Sequence, residues 1–203
     1  MKVLVVETEP HAAATAAAQL EMSGHQIERC HEPDQDASAF PCIGLSSGRC
    51  PVEDTDIDVV LTVRGPSHPS PAPLEDGVTC ALRRRLPVVV AGRTSTSPFD
   101  RYHVAVANQD VVGACERAAA GRQIQHEAVA GRALDWTLRH RDLPLDAARA
   151  DVRRHDGGLQ VTLFVPAETP NVVRDMAIVR VAGALRAFDT RSSRIDVTCK
   201  VNA

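Results

Sequence analysis

Apolar residues in the first 120 positions come in short continuous runs. Val3-Leu4-Val5-Val6, Ile57 to Val63 and Pro87 to Ala91 are strand-length and rich in β-branched residues, as parallel strands buried on both faces must be. Between them the pattern changes. Glu9-Pro10 opens an Ala-rich helix over 11–22, proline being suited to a first helical turn. Ser23-Gly24 closes it, with Gly24 a natural left-handed cap. Gln26 to Cys30 alternates, as a strand nearer the sheet edge does. A short helix covers about 75–85, Tyr102 to Val106 reads as a fifth strand, and Gln109 to Ala120 reads as a helix with Asn108 as candidate N-cap. Residues 31–55 lack periodicity and read as a long irregular loop. Prolines at 66, 69, 71 and 73 make 64–74 a loop as well. The alternation predicts an α/β fold over residues 1–121: a flavodoxin-like, doubly wound, parallel five-stranded sheet. Ligands on such sheets sit at the carboxyl ends of the strands.

The pattern from 127 onward is different. Gly121 to His126 reads as a linker or as the frayed end of the preceding helix. Glu127 to Arg139 is amphipathic. Ala148 to Arg154 and Leu159 to Val165 alternate and flank His155-Asp156-Gly157-Gly158, a hairpin signal. Asn171 to Phe188 is a long helix, and Arg194 to Val201 is a closing strand with Ile195, Val197, Cys199 and Val201 on one face. This predicts a second, small α+β domain of αββαβ order over 127–203.

Composition narrows the function classes. The 203 residues are 44% hydrophobic but only 3% aromatic, so the cores must be built from aliphatic side chains. No apolar run is long enough to span a membrane, and the start lacks the pattern of a secretory signal, so a cytoplasmic location is expected. The net charge of −3 is uneven. Residues 1–126 hold 11 Lys and Arg against 16 Asp and Glu, a net of −5; residues 127–203 hold 12 against 10, a net of +2. Neither half is basic enough for charge alone to argue for nucleic acid. No G-x-S-x-G, G-x-x-x-x-G-K-[ST] or G-x-G-x-x-G motif occurs, so nothing in the sequence points to an enzyme.

Lys2-Val3-Leu4-Val5-Val6-Glu7-Thr8-Glu9-Pro10, the helix end Ser23-Gly24-His25, Asp58-Val59-Val60-Leu61 and Pro87-Val88-Val89-Val90 resemble, in order and spacing, bacterial response-regulator receiver domains. The resemblance covers about residues 1–120 and implies a signalling role. A receiver binds Mg²⁺ through carboxylates, which the ion's octahedral oxygen preference requires, and phosphorylates an aspartate at the end of strand three. The matching positions depart from that chemistry. The acid pair is Glu7-Thr8, the acceptor falls at Val63 within one residue, the switch hydroxyl at Gly92, and the conserved lysine of receivers near Ala105. No lysine lies between Lys2 and Lys200. The resemblance therefore implies a pseudo-receiver, and a homodimer through the face of strands four and five. The other reading of the same pattern is a flavodoxin-like domain with an unrelated ligand.

Six cysteines are present: Cys30, Cys42, Cys50, Cys80, Cys115 and Cys199. Cys115 and Cys199 sit in apolar patterns and read as small core residues. Cys42 and Cys50 lie in the loop 31–55, with Cys30 and His31 at its mouth. Three readings stand: loop thiols beside turns, a redox pair, or a zinc or iron site with His25 or His31 as fourth ligand. The spacing is not that of a zinc finger. His68 and His103, and Ser95, Thr96 and Ser97 as anion contacts after strand four, are weaker candidates.

In the second domain Glu127-Ala128-Val129-Ala130-Gly131, the hairpin at Asp156-Gly157-Gly158 and Arg194 to Val201 resemble the alkaline-shock protein family domain. A KH module would need a G-x-x-G loop, which is absent. Arg149, Arg153, Arg154, Arg191, Arg194 and Lys200 are expected on one strand face, either as a solvated surface or as a nucleic-acid contact. The reading favoured by the sequence is a non-enzymatic regulatory or adaptor protein acting through an unidentified protein partner. A redox or metal sensor and a nucleic-acid-binding regulator are the alternatives.

Overall fold

The computed structural model describes residues 1–31, 42–66, 73–92, 97–107, 109–155, 158–190, 192 and 194–202. The chain divides into two compact units, Met1–Ala120 and Gly121–Ala203.

In the first unit, strands β1 (Lys2–Glu7), β2 (Gln26–Arg29), β3 (Val59–Arg64), β4 (Val88–Gly92) and β5 (His103–Ala107) form one sheet in the order β2-β1-β3-β4-β5. Every pairing is parallel. This is the flavodoxin-like order 2-1-3-4-5, as the runs of Val, Ile and Leu predicted. β-Strand side chains alternate between faces, and here each face has its own core. Val3, Val5, Val59, Leu61, Val63, Val89 and Ala91 pack under α1 (Ala14–Met22) and the first part of a long helix that begins at Val111. Leu4, Val6, Val60 and Val88 pack on the opposite face with Val52, Val78 and Ala81.

The loop expected over 31–55 is not wholly irregular. Its described part holds two short helices, α2 (Ile43–Ser47) and α3 (Pro51–Asp54). Their brevity explains why no periodicity announces them: five and four residues span about one turn each. A 3-10 turn at Pro73–Glu75 leads into α4 (Asp76–Arg83). Strand five starts one residue later than expected, because Tyr102 belongs to a 3-10 turn, Asp100–Tyr102. Among the described residues no α-helix stands between β4 and β5.

The second correction concerns 121–126. These residues are neither linker nor frayed end. They lie inside one helix, α5 (Val111–Arg139), of 29 residues. Gly121 suggested a break, but one glycine costs a helix only about 1 kcal/mol, and Arg122 and His126 are held by the buried Asp189 carboxylate of the second unit. That unit is completed by β6 (Arg149–His155), β7 (Gly158–Val165), α6 (Asn171–Phe188) and β8 (Arg194–Val201). β6 and β7 are antiparallel, β7 and β8 parallel. Val173, Ala177, Val181 and Leu185, four residues apart on one helix face, cover Val152, Leu159, Val161, Leu163 and Ile195, with Ala130, Leu134 and Leu138 of α5. The expected αββαβ order is the observed one. Its turn at Asp156-Gly157 lies outside the described residues.

Candidate functional site

The carboxyl ends of β1, β3 and β4 are where this fold puts its chemistry. Backbone pairing brings Glu7 opposite Val63 and Arg64 opposite Gly92. Glu7 faces α1: its Oε2 accepts from the Ala13 amide at 3.0 Å and its Oε1 lies 3.5 Å from Arg29 Nη1. Thr8 is buried, and its hydroxyl accepts from the Gly65 amide at 2.9 Å. Val63 packs in the core under α1. None of these three offers an oxygen nucleophile to solvent at the end of β3.

The next residue decides what the strand end is. Arg64 is 5% exposed, and Glu75 is fully buried. Arg64 Nε donates to Glu75 Oε1 at 3.2 Å, and its Nη1 donates to Asp100 Oδ1 at 2.9 Å. An arginine fork is suited to holding carboxylates, and here it ties β3 to the turns before α4 and before β5. Gly92 adopts φ +87°, and a Cβ there would run into the Arg64 carbonyl. A threonine or serine, the switch residue of a receiver, could not replace it without moving β3 or β4. Ala105, where the receiver lysine was expected, is mid-strand and packs toward the α1/α5 core. The strand ends at Ala107, and the following Asn108 lies outside the described residues.

A cleft of about 310 Å³ opens beside this ion pair, lined by Arg64, Val90, Gly92, Asp100, His103 and Val106. Val104 and Val106 are more than half exposed. The His103 side chain is 6% exposed, and its Nε2 is buried without a hydrogen-bond partner. Burial lowers the pKa of His103, the Arg64 guanidinium lowers it further, and Asp100 and Glu75 oppose the shift. Asp100 is held below its ordinary value, first by the Ser97 amide and then, against some burial, by Arg64. Ser97 thus serves its own turn, donating from its amide to Asp100 at 2.9 Å. Ser95, Thr96 and His68 lie outside the described residues.

The cysteines are distributed as follows. Cys115 is fully buried in the first unit's core, and Cys199 is half-buried against the second. The other four lie on neighbouring segments of the first unit. Cys30 is buried, and its carbonyl accepts from the Ile43 amide at 2.8 Å, which seats Cys42 beside it. Cys42 and Cys50 are the residues just before α2 and α3. A Cβ on Gly44 would meet Cys50 Cβ at 3.1 Å and Sγ at 3.5 Å; one on Gly77 of α4 would meet Cys30 Sγ at 3.2 Å. Cys80 is one turn beyond Gly77. Burial pushes the Cys30 thiol up to about 12, with Cys50, Cys80 and Cys42 each adding to the rise. Cys80 is raised by burial and then by Cys50, with Arg83 opposing. Sequence reasoning named Cys30, Cys42, Cys50 and His31 and missed Cys80, which is 30 residues from Cys50 and joins them only through α4. His31 is half-buried, and both its ring nitrogens lack a partner. His25, the other candidate ligand, instead faces Glu116 Oε1 at 3.2 Å. All six cysteines are free, and among the described residues no three His, Cys, Asp or Glu side chains stand ready to hold a metal ion.

In the second unit, register places Arg149, Phe164 and Lys200 in one row and Arg153, Gln160 and Asp196 in another, with Arg194 beside Gly158. These share the face turned away from the helices. Arg149 lies over the Phe164 ring at 3.8 Å. Two acids interrupt the basic surface: Asp151 sits 3.5 Å from Arg149, and Asp196 2.7 Å from Arg194. Arg154 does not join this face. It pairs in register with Leu159 on the core side, and its Nη2 donates to Asp189 Oδ2 at 3.3 Å. Alternation alone predicts this, since Arg153 and Arg154 must point opposite ways. Arg191 lies outside the described residues.

Asp189, 5% exposed, is the centre of a buried network that the sequence did not announce. Its Oδ2 accepts from Arg122 at 3.1 Å, His126 Nε2 at 2.9 Å, Arg154 and Ser192. His126 Nδ1 lies 2.8 Å from the Arg122 carbonyl.

No protein-family model matches the chain, and no curated protein is similar to it. Two of the solved structures that match part of the chain are these. One is described as a response regulator receiver domain protein from Clostridium thermocellum. It shares 14% identity at a TM-score of 0.40, over 61% of this chain and 98% of its own. The other is a yeast Spc42 trimeric coiled-coil segment, amino acids 181–211, fused to another structure. It shares 21% identity at a TM-score of 0.39, over 61% of this chain and 82% of its own. Strand order and direction, rather than these scores, assign the flavodoxin-like fold. No described helix is long and apolar enough to cross a membrane.

Proposed function

We propose that this chain is a non-enzymatic regulatory or adaptor protein whose receiver-like unit works without phosphorylation, through contact with a protein partner. The observation that carries this reading is the Arg64–Glu75–Asp100 ion-pair cluster at the end of β3. Acyl phosphate chemistry needs a carboxylate nucleophile there and a metal held by its neighbours. This strand end instead carries a core valine and a buried guanidinium already committed to two carboxylates. Protein contact is supported by β5, an edge strand whose Val104 and Val106 are exposed, since unpaired apolar edges are pairing and docking surfaces. A homodimer is one form such contact would take, and the second unit serves in this reading as a further interaction module.

Nucleic-acid binding through the open face of β6–β8 is the weaker alternative. Arg154 is turned away from that face, and Asp151 and Asp196 pair with two of the remaining cations. The central test is incubation with acetyl phosphate, or with beryllofluoride, in the presence of Mg²⁺. Intact mass and melting temperature are expected to stay unchanged. A Mg²⁺-dependent phosphoryl adduct would overturn the proposal.

A further inference from the structure

We infer that the outer side of α6 is a self-association surface, which pairs with α6 of a second copy of this chain, the two helices parallel about a two-fold axis. The inner face of α6 is already occupied: Val173, Ala177, Val181 and Leu185 are buried in the unit's own core. A second apolar row remains outside. Val172, Met176 and Val179 recur at intervals of four and three residues, the spacing of a coiled-coil seam. Val172 is 66% exposed and Val179 72%, so the fold of the unit covers neither. Gly183 continues the row four residues on, and an added Cβ there would meet nothing within 4 Å. Trp136 of α5 is also exposed and widens the patch. Its ring stacks on His140 at 3.6 Å and carries the Arg180 guanidinium at 3.3 Å. Arg141 Nη2 reaches the Met176 sulfur at 3.4 Å. Trp, Met and Arg are enriched where proteins meet, and here the fold holds them side by side.

Charge selects the occupant and its direction. The only acid of α6, Asp175, lies on one flank of the row, and Arg180 lies on the other. Both are exposed, and neither makes an ion pair among the described residues. A partner of one charge sign would satisfy one flank only; a second copy carries both. Two-fold pairing can run either way. Antiparallel helices bring matching flanks together, so Arg180 would face the second copy's Arg180. Parallel helices bring opposite flanks together. Asp175, just before Met176 of the seam, then faces the position five residues on in the second copy, which is Arg180. Such flanking charges set partner and direction in paired helices. A two-fold interface repeats every contact, so this ion pair forms twice. Across the axis Val172, Met176 and Val179 meet their own counterparts, and Gly183 lets the two backbones approach at the far end of the seam.

This pairing rests on the adaptor reading in giving the second unit a contact role. The test is sedimentation velocity of the full-length chain from dilute to concentrated solution. The mass should rise from one chain toward two. Emission from Trp136, the only tryptophan, should move to shorter wavelength over the same range as its ring is covered. Val172→Ser/Val179→Ser should hold the protein monomeric. Arg180→Asp should weaken the dimer by about tenfold, and Asp175→Arg/Arg180→Asp should restore it. That rescue separates a lost contact from a lost fold. A monomer at every concentration, or a charge swap that rescues nothing, would overturn the pairing. So would a dimer that survives Val172→Ser/Val179→Ser and dissociates on Val106→Ser, which would move self-association to β5. The acetyl phosphate test concerns the first unit alone, so the α6 pairing and the phosphorylation-independent reading fail separately.

Discussion

Arg64 shows how one side chain can close a strand end. A buried ion pair is weak evidence for stability, because two desolvated charges offset much of their attraction, yet removing one partner leaves the other charge stranded. Glu75→Ala should therefore cost about 3–5 kcal/mol, read as a lower urea midpoint. Arg64→Met/Glu75→Leu should cost clearly less than the single change; equal costs would mean that the pair is not what holds the turns to β3. His103 makes a second prediction. Its folded pKa is lowered from 6.5 by burial and then by Arg64. Below 6.5 the unfolded chain takes up a proton that the folded chain resists, so stability falls as the pH drops toward the folded value. From about pH 7 to about pH 5, wild type should lose more stability than His103→Asn. Parallel pH profiles would remove His103 from the account.

Element-scale behaviour turns on α5. Its 29 residues pass through Gly121, where an added Cβ would meet nothing within 4 Å. Alanine suits an unstrained helix interior better than glycine by about 0.5–1 kcal/mol. Gly121→Ala should thus raise the melting temperature, whereas a linker there would leave it unmoved. The opposite lesson comes from α2 and α3. They end where the local sequence stops supporting them, with Gly48 in the left-handed conformation after α2. α2 is tied by its Ile43 amide to the Cys30 carbonyl, and α3 packs Val52 with Val78 and Ala81 of α4.

On the scale of the whole chain, three cores account for two units, one on each face of the first sheet and one in the second unit, and the Asp189 network fixes where the second begins. The fragment 121–203 includes Arg122 and His126. A fragment starting at 127 takes both away from the buried Asp189 carboxylate. The shorter fragment should be less stable by about 3–5 kcal/mol, as measured by urea unfolding; equal midpoints would show the network to be dispensable. What the sequence determined by itself were the features written in local periodicity: five parallel strands, the long helix α6 and the hairpin order of the second unit. Period and composition are local properties, and a window of ten residues reveals them. Only the tertiary structure decided the rest. It placed Arg64 between Glu75 and Asp100, gave the inward-facing Arg154 its partner Asp189, carried α5 unbroken through Gly121, and laid α4 against Cys30. Each of these depends on residues tens of positions apart meeting across packed elements, and no local pattern along the chain encodes such a meeting.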